Sequence, residues 1–214
     1  LIIRDISERK MLEQMKTDFI NRAAHELRTP LTTSLLMISL LESAPTPEES
    51  AQYTGILKTE MERQRMLVED LLTVARLDGN AFEMNIRPVD MRAVLDSVLK
   101  SGRVIAQNKQ VALNANLPDD LPAVEGDERA FQQVFTNLIA NSVKFTPSGG
   151  HVEVTVETTA SDLLIRISDS GIGIPAEDLA NLFTRFFRAR NARTQEIPGS
   201  GIGLYIVRSI VEKM

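Results

Sequence analysis

The stretch His25-Glu26-Leu27-Arg28-Thr29-Pro30 sets an imidazole, a carboxylate and a hydroxyl close together in a run of helix formers. A neutral imidazole is a competent nucleophile near neutral pH, and Glu26 beside it can accept the ring proton as attack proceeds. Thr29 falls one helical turn on, on the face of His25, where its hydroxyl can orient a water toward a group carried by the ring. Pro30 removes one helical hydrogen bond and crowds the carbonyl of Glu26, at about 3 kcal/mol in an ordinary helix interior, so a local bend is expected. A single histidine on a helix is ordinarily a surface or packing residue. The reading therefore depends on what else the chain carries.

Asn137 and Asn141 stand one turn apart on a second helix, with Lys144 one turn further, so two amide oxygens and a cation share a face. Mg²⁺ takes oxygen ligands and keeps waters and phosphate oxygens, so the carboxamides of Asn141 and Asn137 suffice to hold it against a triphosphate, with Lys144 meeting phosphate charge. Asp169-Ser170-Gly171-Ile172-Gly173-Ile174-Pro175 ends a strand. There the glycines Gly171 and Gly173 let backbone approach a ligand, and Asp169 can accept a hydrogen bond from an adenine amino group. Gly199-Ser200-Gly201-Ile202-Gly203-Leu204 opens a helix, whose free amides and dipole favour phosphate. It lacks the Gly-Lys-Ser/Thr ending of a Walker loop and follows a long loop rather than a strand, which excludes a Rossmann fingerprint. Between the glycine clusters, Phe183-Thr184-Arg185-Phe186-Phe187-Arg188 precedes a polar stretch over 189–198 that suits a lid. Arg185 or Arg188 is expected to reach a terminal phosphate, and at least one phenylalanine to fill core.

The elements that must position these groups follow from periodicity. From about Ser7 to Leu41, Ile20, Ala24, Leu27, Leu31, Ser34, Ile38 and Leu41 fall at alternating four and three, a bundle seam. Ser43-Ala44-Pro45-Thr46-Pro47 breaks the helix, and a second seam at Tyr53, Leu57, Glu60, Gln64, Leu67, Leu71 and Val74 runs to about Leu77, before Asp78-Gly79-Asn80. Two long antiparallel helices result, an all-α hairpin whose wide apolar stripes are most economically buried in a dimeric four-helix bundle. After a linker, Asp90 can cap a helix to about Ile105 and Asp127 one through Val143. Val111–Leu117, Val152–Thr158 and Leu163–Ser168 read as strands, the last two joined by a turn at Ala160-Ser161-Asp162, giving an α/β sandwich.

The 214 residues suit two domains, 43% hydrophobic and 25% charged, with a net charge of -5 that disfavours nucleic acid. The absence of cysteine excludes disulfides and thiolate metal sites, and no apolar run approaches the roughly 20 residues of a bilayer span. A cytoplasmic fragment is expected, joined to a membrane only through segments outside it.

Taken together, these residues resemble the sensor histidine kinase family along nearly the whole chain and in that family's order. His25–Pro30 looks like its phosphoacceptor box, Asn137–Pro147 its Mg²⁺ box, and Asp169–Gly173, Phe183–Arg188 and Gly199–Gly203 its remaining nucleotide boxes. The resemblance implies that 1–15 is the exit of a PAS-like sensor and 16–80 a dimerisation and phosphotransfer domain. Residues 81–89 would be a linker, with the hinge over Asp78–Pro88, and 90–214 a Bergerat-type ATP-binding domain lacking the Gly-rich turn and further strands that the family usually adds. It implies autophosphorylation of His25 from ATP and Mg²⁺, with Glu26 as base, and transfer to an aspartate of a response-regulator receiver. Glu26 and Thr29 also fit the pattern used for dephosphorylating that receiver. Two other functions use similar parts. A Bergerat-type ATPase similar to gyrase would place a glutamate where this chain has Asn137, an amide that cannot take a proton. A non-enzymatic, nucleotide-sensing dimeric scaffold would leave His25 unphosphorylated.

Overall fold

Ser7–Glu42 forms one helix, α1, in the computed structural model, continuous through Pro30. The structure describes residues 7–43, 45–79, 82–159, 162–189, 197 and 199–214, with side chains from Thr17 onward. The sensor exit expected over 1–15 lies partly, and the lid over 189–198 mostly, outside the described residues, as do Ala160 and Ser161 of the turn after the second long strand. The chain divides into two units, Leu1–Ala75 and Arg76–Met214.

The first unit is the helical hairpin. Helix α2 (Pro47–Asp78) begins at a reciprocal cap: Thr46 N donates to Glu49 Oε2 at 2.9 Å and Glu49 N donates to Thr46 Oγ1 at 3.3 Å. Pro47 therefore does not only break α1. It is the first residue of α2, where its missing N–H and fixed φ cost nothing. The Thr46 backbone N–H and, after it, the Thr46 hydroxyl hold the Glu49 carboxyl below its ordinary range.

The α2 seam is as expected: Leu67 and Val74 are buried, and Tyr53, Leu57, Glu60, Gln64 and Leu71 half-buried. The α1 seam differs. Ala23, Pro30, Ser34 and Met37 are buried, with Leu27 and Leu41 half-buried, whereas Ala24, Ile20, Leu31 and Ile38 are exposed. The expected seam had merged two adjacent apolar stripes. One packs inside the hairpin, and the other, continued by Leu35 at 59% exposure, faces outward. Both stripes share the period of a helix, and only packing against α2 tells them apart. Pro30 sits inside α1, on the buried face, and leaves the Glu26 carbonyl without its helical donor.

The second unit is an α/β sandwich. Strand β1 (Arg87–Val89) and helix α3 (Met91–Asn108) precede β2 (Ala112–Asn116), β3 (Val124–Gly126) and helix α4 (Glu128–Phe145). Strands β4 (His151–Thr158) and β5 (Leu163–Asp169), a 3₁₀ segment at Ala176–Asn181 and helix α5 (Gly203–Lys213) complete it. A three-stranded sheet runs β2-β4-β5, with β2 parallel to β4 and β4 antiparallel to β5, and β1 pairs with β3 separately. Asp90 caps α3 by accepting from Ala93 N, and Asp127 caps α4 by accepting from Ala130 N, both as expected. Leu95 and Leu99 of α3 and Ile139 and Val143 of α4 close over Val152, Val154 and Val156 of β4, a strand that alternates buried and exposed. Each such side chain contributes about 1.5–3 kcal/mol relative to exposure.

Strands β1 and β3 were not expected. They are three residues each, too short for alternation to show. Strand β1 lies within the expected linker, where Asn85 N donates to Asp127 Oδ2 at 2.8 Å and Arg87 pairs with Glu128 at 2.6 Å. Among the described residues, no helix is long and apolar enough to cross a membrane.

Candidate functional site

On α1 the imidazole of His25 is exposed, as its place beside the buried stripe requires. The next side chain, Glu26, turns inward because successive helical residues do not face each other, and its carboxylate lies 3.9 Å from Arg63 of α2. Thr29 Oγ1 donates back to the carbonyl of His25 at 3.5 Å, a long contact, and Thr32 and Thr33 donate likewise to Arg28 and Thr29. Such back-bonding turns the Thr29 hydroxyl toward the helix backbone rather than toward the ring above it.

In the second unit, α4 presents Asn137, Asn141 and Lys144, and the glycine segment that opens α5 runs along this face. A Cβ on Gly203 would stand 3.2 Å from Asn137 Oδ1 and 3.9 Å from Asn141 Nδ2, and one on Gly199 would overlap Lys144 Nζ. The same ammonium lies 4.8 Å from the centroid of the Phe145 ring. Gly201 has φ +69, and a Cβ there would meet the carbonyl oxygen of Phe187 at 2.7 Å, so this segment has both conformational and steric need of glycine. Leu204, half-buried, falls in the first turn of α5.

The Asp169 segment joins the same end of α4. Gly171 N donates to Asp169 Oδ1 at 2.9 Å, and Ile172 N donates to the carbonyl of Phe145 at 3.2 Å. A Cβ on Gly171 would lie 2.6 Å from Asp169 Oδ1 and 2.8 Å from that carbonyl. Asp169 itself is exposed at the end of β5, and Gly173 has φ +69 with open space around it. Asn137, Asn141, Lys144, Gly171, Gly199 and Gly203 are thus gathered around one helix. A hard cation already carrying phosphate oxygens and water needs only one or two further oxygen donors, which the two carboxamides on that face can supply. Among the described residues no cluster of His, Asp or Glu suited to a metal is present.

The two arginines expected at a terminal phosphate are engaged elsewhere. Arg185 donates to Asp78 Oδ1 at 2.5 Å and to the Tyr205 hydroxyl, and its guanidinium lies 4.6 Å from the Tyr205 ring centroid. Arg188 donates to the carbonyl of Ile197 at 2.7 Å. Phe186, with φ +58, is buried and Phe183 is 40% exposed, so the core-filling role falls to Phe186. Asp78 and Tyr205 were not legible as site residues, because each gains meaning only through the arginine that the fold brings to it. A cavity of about 880 Å³ lined by Met91, Phe131, Leu163, Val211 and Met214, among others, contains none of the motif residues.

The described residues thus make two arrangements, an exposed histidine on a helical hairpin and a carboxamide and glycine cradle on an α/β sandwich. Residues 15–80 match the His Kinase A (phospho-acceptor) domain and residues 126–214 the histidine kinase-, DNA gyrase B- and HSP90-like ATPase family. The chain is 32% identical over 215 residues to the sensor histidine kinase WalK of Bacillus subtilis, covering 99% of this chain and 35% of that protein. Among solved structures, a mycobacterial sensor histidine kinase, MprB, is 32% identical, with TM-score 0.52, over 59% of this chain and 80% of that one. The histidine kinase ShkA, solved full-length with AMPPNP, is 28% identical, with TM-score 0.63, over 94% of this chain and 41% of that one. The chain belongs to the sensor histidine kinase family, and it spans about a third of the length of WalK.

Proposed function

We propose that this chain transfers the γ-phosphoryl group of ATP to its own His25 and from there to an aspartate on the receiver domain of a response regulator. The observation that carries the reading is the face of α4 on which Asn137, Asn141 and Lys144 stand against Gly199–Gly203. It offers oxygen donors, a cation and close backbone approach together. AMPPNP bound to ShkA supports a nucleotide in this domain. Mg²⁺, when bound, would supply charge neutralisation on the phosphates, with Asn141 and Asn137 as its protein ligands.

A ring nitrogen of His25 attacks the γ-phosphorus, the bond to the β–γ bridging oxygen breaks, ADP leaves, and the ring proton passes to Glu26 once that carboxylate has swung from Arg63 toward the ring. Lys144 and the amides at the start of α5 hold the triphosphate, and Asp169 accepts from the adenine amino group. Arg185 and Arg188 reach phosphate only after leaving Asp78 and Ile197. We assign 16–80 to dimerisation and phosphotransfer, 81–89 to a linker and 90–214 to catalysis, with 1–15 as a signalling segment. The outward stripe on α1 supports a homodimer. Phosphatase action toward the receiver would use Glu26 and Thr29, the latter after its hydroxyl leaves the His25 carbonyl, and we assign the catalytic part to the cytoplasm.

The test is incubation with Mg²⁺ and γ-labelled ATP, scoring acid-labile, base-stable label. The unmodified chain is expected to incorporate it and Asn141→Ala to lose about a hundredfold in initial rate. Label that survives at the full rate in Asn141→Ala would move the site off this face. Binding of ATP with no label on the unmodified chain would favour the scaffold.

A further inference from the structure

A helix that ends inside a domain must find partners for its last carbonyls. In α4 the final helical bond is from Thr146 N to the carbonyl of Ser142, at 3.1 Å, which also accepts from Thr146 Oγ1 at 2.7 Å. Beyond it, the carbonyls of Val143, Lys144 and Phe145 have no helical donor. Lys109 supplies two: its Nζ donates to Val143 O at 3.1 Å and to Lys144 O. The third, Phe145 O, is met by Ile172 N of the Asp169–Gly173 segment. Lys109 is the residue that ends α3, and Gln110 next to it, at φ +58, turns the chain toward β2. The Gln110 carbonyl accepts from Gly149 N at 2.8 Å and its side chain from Ser148 Oγ at 2.8 Å, so the exit loop of α4 is tied to the same turn.

We propose that Lys109 is a positioning residue for the nucleotide site: its ammonium closes the C-terminal end of α4 and so sets Lys144 and the Asp169–Gly173 segment in register with each other. The inference rests on the reading of that face as the nucleotide site. Three geometrical facts carry it. The cation sits at the negative end of the helix dipole, where a positive charge is favoured. It bonds the carbonyl of the very residue whose side chain meets Gly199. The adjacent carbonyl is the one that docks Ile172. If the last turn frays, Lys144 and the glycine segment lose their common support. Burial lowers the ease with which Lys109 is protonated, in keeping with an ammonium turned inward rather than into solvent.

The experiment compares the 214-residue chain with Lys109→Met, which keeps the length of the stem and removes the donors, and Lys109→Arg, which keeps donors. Two readings are taken: the affinity for trinitrophenyl-ATP with Mg²⁺, and amide hydrogen exchange at Ile172. Lys109→Met is expected to weaken nucleotide binding about fivefold to twentyfold and to speed exchange at Ile172, with Lys109→Arg within about threefold of the parent in both. A lower melting temperature in Lys109→Met with both readings unchanged overturns the proposal, since Lys109 would then be structural only. Should Lys109→Met lose cooperative unfolding, Lys109→Gln takes its place, and failure of that variant to fold overturns the proposal likewise. If the parent binds no nucleotide, the proposed function fails by itself, and the Ile172 amide alone decides whether Lys109 holds the glycine segment.

Discussion

In the helical unit, Ile20, Leu31, Leu35 and Ile38 stand exposed along one side of α1, whereas in the second unit Leu95, Leu99, Ile139 and Val154 are shut away from water. Both sets are apolar and lie on regular elements. The difference is that a sandwich has a sheet to close against, and a two-helix hairpin has only one partner helix for stripes that cover more than one face of each helix. The reactive groups divide the same way. His25, the proposed acceptor, needs only to be held out from a helix, while Asn137, Asn141 and Lys144 of α4 form the proposed nucleotide site only because the segments of Gly171 and Gly199–Gly203 converge on them.

The sharpest way to test this division is His25→Gln. Label from γ-labelled ATP is expected to fall to background, about a thousandfold or more, while trinitrophenyl-ATP affinity stays unchanged, because binding belongs wholly to the second unit. A parallel loss of binding would mean that the two parts are not separable.

Next in size is Leu35→Glu. If the outward stripe of α1 is the surface between two copies, an unpaired carboxylate there should raise the dimer dissociation constant about a hundredfold or more, read by analytical ultracentrifugation. An unchanged sedimentation profile would break the comparison, since the open stripe would then have some other purpose.

Gly171→Ala comes third. Its Cβ would press on Asp169 Oδ1 and the Phe145 carbonyl, so nucleotide affinity is expected to fall about tenfold and stability by about 1–3 kcal/mol. Titration of trinitrophenyl-ATP and urea unfolding would show both, and the hairpin's association should be untouched.

The smallest effect is expected from Asp127→Ala, at about 1 kcal/mol in urea unfolding at neutral pH. Burial works to raise this carboxyl, but the N–H groups of Ala130 and Asn85, at 2.9 and 2.8 Å, outweigh it and hold the carboxyl below its ordinary value of 3.8. A depressed folded value means that the contribution is present above that pH and is lost as pH falls through the folded value. The difference between parent and variant should therefore shrink in acid.

Much of the molecule could be read before folding was considered. Asp90 and Asp127 announced the helices they cap, and the α2 seam from Tyr53 to Val74 was legible, although Met61, Val68 and Leu72 form a second, exposed stripe on that helix. The α1 seam was not, because Ile20, Leu31 and Ile38 repeat at the same period as Ala23, Pro30 and Met37, and a helix wheel cannot say which stripe meets a neighbour. Strands β1 and β3 escaped because three residues carry no period, and the Thr46–Glu49 cap because its Thr-x-x-Glu signal was overshadowed by two prolines.

The sequence by itself determined which chemical groups this protein has and on which element each lies, since residue type and local periodicity depend only on neighbours a few positions away. Tertiary structure alone decided which of them meet. It paired Glu26 with Arg63, held Arg185 on Asp78 and Tyr205, set Gly199 against Lys144, and brought Lys109 to the end of α4. Those pairings join residues that are distant along the chain, and distance along the chain carries no local signal. They arise when helices and sheet close on a common core and every carbonyl left at a helix end must find a donor.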